Sequence, residues 1–68
     1  MKLIGIINSY NGKYGTIVTK NNEIIDFNTN DISFNQNIKI GDMVEFRLET
    51  RFPDIKIARN ITVIPNKL

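Results

Sequence analysis

No long window of this 68-residue chain repeats its apolar residues with the period of a helix. Short apolar runs alternate instead with turn signals, and that pattern specifies an all-β domain. The first run, Lys2 to Tyr10, is rich in Ile and reads as a strand. Gly5 inside it marks a bulge or a close backbone approach, as where a barrel strand bends. Asn11-Gly12 is the strongest short hairpin signal, because both residues accept the positive φ of a type I′ turn. A second strand is expected over about Lys13 to Thr19, a turn at Lys20-Asn21-Asn22, and a third strand over about Glu23 to Phe27.

Asn28 to Asp42 is the longest irregular region, polar and Asn-rich. Ile32, Phe34, Ile38 and Ile40 are spaced through it, and some of them must anchor it to the core. A short helical turn is expected near Thr29 to Ser33. Gly41-Asp42 opens a fourth strand, Met43 to Glu49, whose alternation sends Val44, Phe46 and Leu48 one way and Glu45, Arg47 and Glu49 the other. That is the period of a sheet with one wet face. Arg51-Phe52-Pro53-Asp54 is a loop, and Ile55 to Ile64 is the fifth strand, ended by Pro65.

A chain of this length is one domain, residues 1–68, with a thin stability margin. It has no Cys and no His, which excludes disulfides, zinc fingers and thiol chemistry. The commonest general base and the strongest nucleophile are missing, and the remaining Asp, Glu, Lys and Ser form no arrangement that reads as a site. A non-enzymatic protein without a cofactor is expected. The run "LIGII" is too short for a signal h-region or a membrane span, so a cytoplasmic location is the expectation. Without a secretion signal, the sequon Asn60-Ile61-Thr62 is expected to be accidental. The formal charge of +2 and pI near 9.2 support a nucleic-acid partner only weakly. The abundance of Asn and Ile points to an AT-rich genome. No linker, repeat or low-complexity segment is visible.

Five short antiparallel strands in so small a chain fit a closed barrel, since closure removes exposed edges. Both OB-type and SH3-like barrels meet that condition. The OB barrel has the longer β3–β4 connection, and the longest irregular region lies there. The expected fold is therefore an all-β, five-stranded antiparallel Greek-key barrel of OB type.

The segments also resemble, in order and spacing, those of the cold-shock domain family, small bacterial OB-fold proteins that bind single-stranded RNA and DNA. "GIINSYN" is similar to the family's opening "GKVKWFN", "KYGTIV" to the "KGFGFI" signature known as RNP1, and "EIIDF" to "DVFVH", known as RNP2. "IKIGDMVEFRLE" is similar to "LKEGQKVEFEIE", and "IARNITVI" to "QAANVTVL". The resemblance covers nearly the whole chain, but its better half is structural and argues for the fold rather than the site.

The resemblance implies a face of exposed aromatics on which successive bases stack, each worth about 1–3 kcal/mol by truncation, with basic residues holding the backbone. Lys13 keeps the basic residue of RNP1, Tyr14 its first aromatic and Gly15 its small residue. Thr16 stands where the second aromatic would be, and Ser9 replaces an exposed Trp. Tyr10 falls on a Phe that is usually core, and Asn11 matches the family's Asn. Two basic positions on strand one have become Ile6 and Asn8. Aligning RNP2 forward from Glu23 turns Ile25 and Phe27 outward. A slip of one residue makes both core and sends Asp26 outward. The outward register is the expectation, although it turns Asp26 inward at a cost. Phe34 falls roughly where the family has another stacking Phe, and Arg51 and Phe52 lie in the loop that closes one end of the site.

The expected site stacks bases on Tyr14, Phe27 and Phe34 and contacts phosphate through Lys13, Arg51, Lys56 and Arg59. Asn8, Asn11, Thr16 and Phe52 complete it. Each assignment has a plainer rival. Tyr14 can be an ordinary strand former, Phe27 core, Phe34 a loop plug and Phe52 a turn anchor, while the cations balance nearby carboxylates on a solvated face. The expected activity is single-stranded RNA or DNA binding by a monomer, weaker than in a typical family member. The alternative is a protein-interaction module whose remodelled face, with Ile25, Phe27 and Phe52, binds a protein. An apolar patch with little positive potential would favour that alternative, and a continuous basic-aromatic face would favour nucleic acid.

Overall fold

A computed structural model describes residues 2–65. Its five strands are β1 (Lys2–Tyr10), β2 (Tyr14–Thr19), β3 (Ile24–Asn28), β4 (Met43–Arg51) and β5 (Ile55–Val63). They close into a barrel in the order β1-β2-β3-β5-β4, with β1 returning to pair β4. This is the all-β barrel of OB type expected from the strand pattern. The seam between β3 and β5 is parallel, and the other four are antiparallel.

Inward positions of every strand meet in one core. Ile7, Ile17, Ile25, Phe27, Val44, Phe46, Ala58 and Ile61 are buried, with Ile38 from the long connection. β1 is long enough to serve two neighbours because it bends. At Gly5 a Cβ would lie 2.9 Å from the Val18 carbonyl oxygen, so the close approach expected there is present. The bulge falls further on: Ile7 pairs with Ile17 and Ser9 with Thr16, leaving Asn8 as the extra residue.

The first hairpin corrects the sequence reading by one residue. Tyr10 pairs with Gly15, the Asn11 amide donates to the Tyr14 carbonyl at 3.0 Å, and Gly12-Lys13 occupy the turn. Gly12 has φ +94°, whereas Asn11 is not among the residues of positive φ. The Asn11 side chain instead accepts from the Lys13 and Tyr14 amides at 2.9 and 2.8 Å. An Asx-type cap thus does what a second left-handed residue would have done.

The β3–β4 connection contains two 3₁₀ turns, Thr29–Asp31 and Ser33–Asn35, of which the first fulfils the expected helical turn. Asn28 and Asp31 form a reciprocal capping box around the first. Ile38 is buried, and Ile32 packs against the core and bridges Ile61. Gln36 reaches β5, accepting from the Val63 amide at 2.7 Å and donating to the Ile61 carbonyl at 3.3 Å. Phe34 and Ile40 are 88% and 67% exposed, so they are not anchors.

Candidate nucleic-acid interface

The strand register sorts the outer face of β1, β2 and β3 into cross-strand rows. Ser9, Thr16 and Asp26 form one row, and Ile6, Val18 and Ile24 form another. Tyr14, opposite Asn28, lies at the hairpin end beyond the polar row. Between them Tyr10, Gly15 and Phe27 form an inward row.

The expected outward register of RNP2 is overturned. Ile25 is 0% and Phe27 3% exposed, whereas Ile24 is 54% exposed and Asp26 faces solvent. Two effects favour this register. It keeps a carboxylate in water, and it fits Phe27 beneath Gly15, where a Cβ would fall 2.5 Å from the Phe27 ring. Phe27 also stacks on Tyr10 with ring centroids 5.6 Å apart. It is therefore part of the packed interior and not a platform, and neither residue that replaces the pair outside is aromatic.

Tyr14 remains the aromatic of this face, 62% exposed. It borders an open depression of about 640 Å³ lined by Ser9, Tyr10, Asn11, Gly15, Thr16, Asp26, Phe27 and Ile40. Five of these, Ser9, Tyr10, Gly15, Asp26 and Ile40, lie outside the expected site. The Asp26 position was legible as the rejected register, but nothing in the sequence brings Ile40 beside the hairpin. Ser9 and Thr16, which replace aromatics, hydrogen-bond each other through their hydroxyls at 2.8 Å, and Asn8 donates to Thr16 at 3.2 Å. The row is a self-satisfied polar strip, and Asp26 adds a negative charge at its end.

The cations expected to hold phosphate are distributed unevenly. Arg51 pairs with Glu49 at 3.0 Å and Lys56 with Glu23 at 2.6 Å. Arg59 bridges Glu49 at 3.0 Å and the almost fully buried Asp31 at 3.2 Å, tying the first 3₁₀ turn to the barrel. Hydrogen bonding from Arg51, with the Arg59 charge beside it, holds the Glu49 carboxyl below its ordinary value. The hydrogen bond to Glu23 holds the Lys56 ammonium above its own. These three cations are engaged with carboxylates, while Lys13 makes no ion pair among the described residues.

The loop aromatics do not extend the Tyr14 face. Phe34 sits with Lys2, Glu45, Arg47 and Asn60, over β4 and β5, in a left-handed conformation at φ 61°. Phe52 is 95% exposed in the β4–β5 loop. Neither touches the depression beside Tyr14. The structure thus brings together Asn11, Tyr14 and Thr16, with Lys13 in the adjoining turn, Asn8 at the bulge, and Phe34, Arg51, Phe52, Lys56 and Arg59 elsewhere. Compared with known proteins, the chain matches no family model and no curated protein.

Proposed function

We propose that this OB barrel binds single-stranded nucleic acid without catalysis, weakly, and through the hairpin end of its face alone. The observation that carries the reading is Tyr14: an exposed ring on β2 above an open depression, next in sequence to Lys13, which makes no ion pair among the described residues. One base stacks on that ring, Lys13 meets one phosphate, and Asn11 and Thr16 border the same hollow. The cold-shock resemblance supports the same placement. With one platform and about one free cation, affinity falls at or beyond the weak end of non-specific binding, about 10⁻⁴ M.

Labelled heptamers of T, U, A and C, titrated at low and moderate salt, test this. Saturable binding that Tyr14→Ala weakens, with a salt slope of about −0.7 to −1.4 for one or two phosphates, is expected. No binding at about 1 mM protein in low salt overturns the reading.

A second reading is favoured by a separate observation. The other end of the same sheet is an exposed aliphatic strip with charges of both signs only at its rim, which suits a protein partner.

A further inference from the structure

The row Ile6, Val18 and Ile24 continues onto a fourth strand, because Ile6 also pairs with Met43 of β4. Ile4 stands next to Ile6 on the same outward side of β1. Ile4, Ile6, Ile24 and Met43 are 55%, 45%, 54% and 47% exposed; Ile4, Ile6, Val18 and Met43 line one concave surface, and Ile24 extends it as the cross-strand neighbour of Val18. Roughly half-exposed, they present on the order of 400 Å² of continuous apolar surface, the size of the most conspicuous patch on an ordinary monomer.

We propose that this strip is the contact between two copies of the chain in a weak, concentration-dependent dimer. Three observations select a second copy as the occupant. The first is charge. The strip itself carries none, and its rim holds both signs: Lys2 lies 3.8 Å from Glu45, Glu23 lies 2.6 Å from Lys56, and Lys20 stands beside them. Such a surface has too little charge of one sign to select a polyanion or a strongly charged protein, and the two signs on its rim let one copy meet another. The second is area. About 400 Å² of apolar surface, with its polar rim, approaches the ~800 Å² per partner of a standard interface without reaching it, which places the dimer at about 10⁻⁴ M rather than nanomolar. The third is the core. The 68-residue chain has no Cys, and its buried apolar interior is small. Self-association is one of the few stabilising devices open to such a domain. The monomer expected from sequence rests on a strand pattern in which this four-strand row is invisible.

Sedimentation equilibrium of the full chain from about 10 μM to 1 mM tests the proposal. The apparent mass is expected to rise from 7.8 kDa toward twice that value. Ile24→Lys and Ile6→Lys, at half-exposed positions, are expected to hold it at the monomer value. A measurement independent of variant folding uses methyl resonances of the wild-type chain. On dilution, shifts confined to Ile4, Ile6, Ile24 and Met43 are expected, with Ile40 unmoved. A monomer throughout the range, a mass increase that neither substitution reduces, or dilution shifts centred elsewhere would overturn it. So would methyls that move only when lipid vesicles or another protein are added.

Discussion

The outer face of β1, β2 and β3 has two ends built on the same strands and the same alternation, yet their side chains differ in kind. At the hairpin end stand Tyr14, Asn11 and the polar row Ser9–Thr16–Asp26. Two residues along β2 and β3, and three along the bulged β1, stands the aliphatic row Ile6–Val18–Ile24, continued by Met43. What distinguishes them is cross-strand register, which decides whose side chains become neighbours. A base-stacking face needs aromatics in adjacent rows, and here a single ring survives in one of them. An association face needs uncharged apolar side chains side by side, and one row supplies four.

The largest expected effect removes the support beneath the hairpin end. Phe27 packs under Gly15 and against Tyr10, so Phe27→Ala should cost about 3–5 kcal/mol, enough to threaten the whole fold, read by thermal or denaturant unfolding. A face residue behaves otherwise: Tyr14→Ala should leave the unfolding midpoint almost unchanged.

Arg59→Met separates scaffold from site. It removes the cation from Asp31, whose side chain is 2% exposed. We expect about 1–3 kcal/mol of lost stability. Oligonucleotide affinity should be unaffected, because Arg59 is already held by two carboxylates.

Thr16→Phe moves the polar row toward a stacking face. It should tighten oligonucleotide binding by about 1–3 kcal/mol, measured by anisotropy. Asp26→Asn should add a smaller gain that fades as salt rises. Ile24→Ser, in the aliphatic row, should leave the same titration unchanged.

The smallest effects are in pH. The Glu49 pKa is lowered in the fold, so its contribution is full above the unfolded value and is lost as pH falls through the folded one. The Lys56 pKa is raised, so its contribution is full below its unfolded value and is lost as pH rises through the folded one. Unfolding midpoints should soften slightly at both acid and strongly alkaline pH, more weakly in high salt, because both pairs are exposed.

The barrel was legible because its signals are local. Period-two alternation around Val44 and Phe46, the Asn11-Gly12 turn and the polar span after Asn28 each mark an element without knowledge of its neighbours. The site was less legible because it depends on pairing. Ile25 and Phe27 alternate with Ile24 and Asp26 in either register, and only the space above Gly15 and the cost of burying Asp26 choose between them. The ion pairs of Lys56 with Glu23 and Arg59 with Asp31 span 33 and 28 residues, so a list of cations could not show which were engaged. The hairpin turn missed by one residue for a related reason: the Asn11 side chain, rather than its backbone, closes it.

In the proposed function nucleic acid meets the hairpin end and nothing else. The most direct test is a ¹H–¹⁵N titration of the chain with a single-stranded heptamer at low salt. Fast-exchange shifts are expected at Asn11, Gly12, Lys13, Tyr14, Gly15 and Thr16, with Ile6, Ile24 and the loops around Phe34 and Phe52 still. Shifts centred on Phe34 and Arg47, or on Arg51 and Phe52, or none at about 1 mM oligonucleotide, would contradict it.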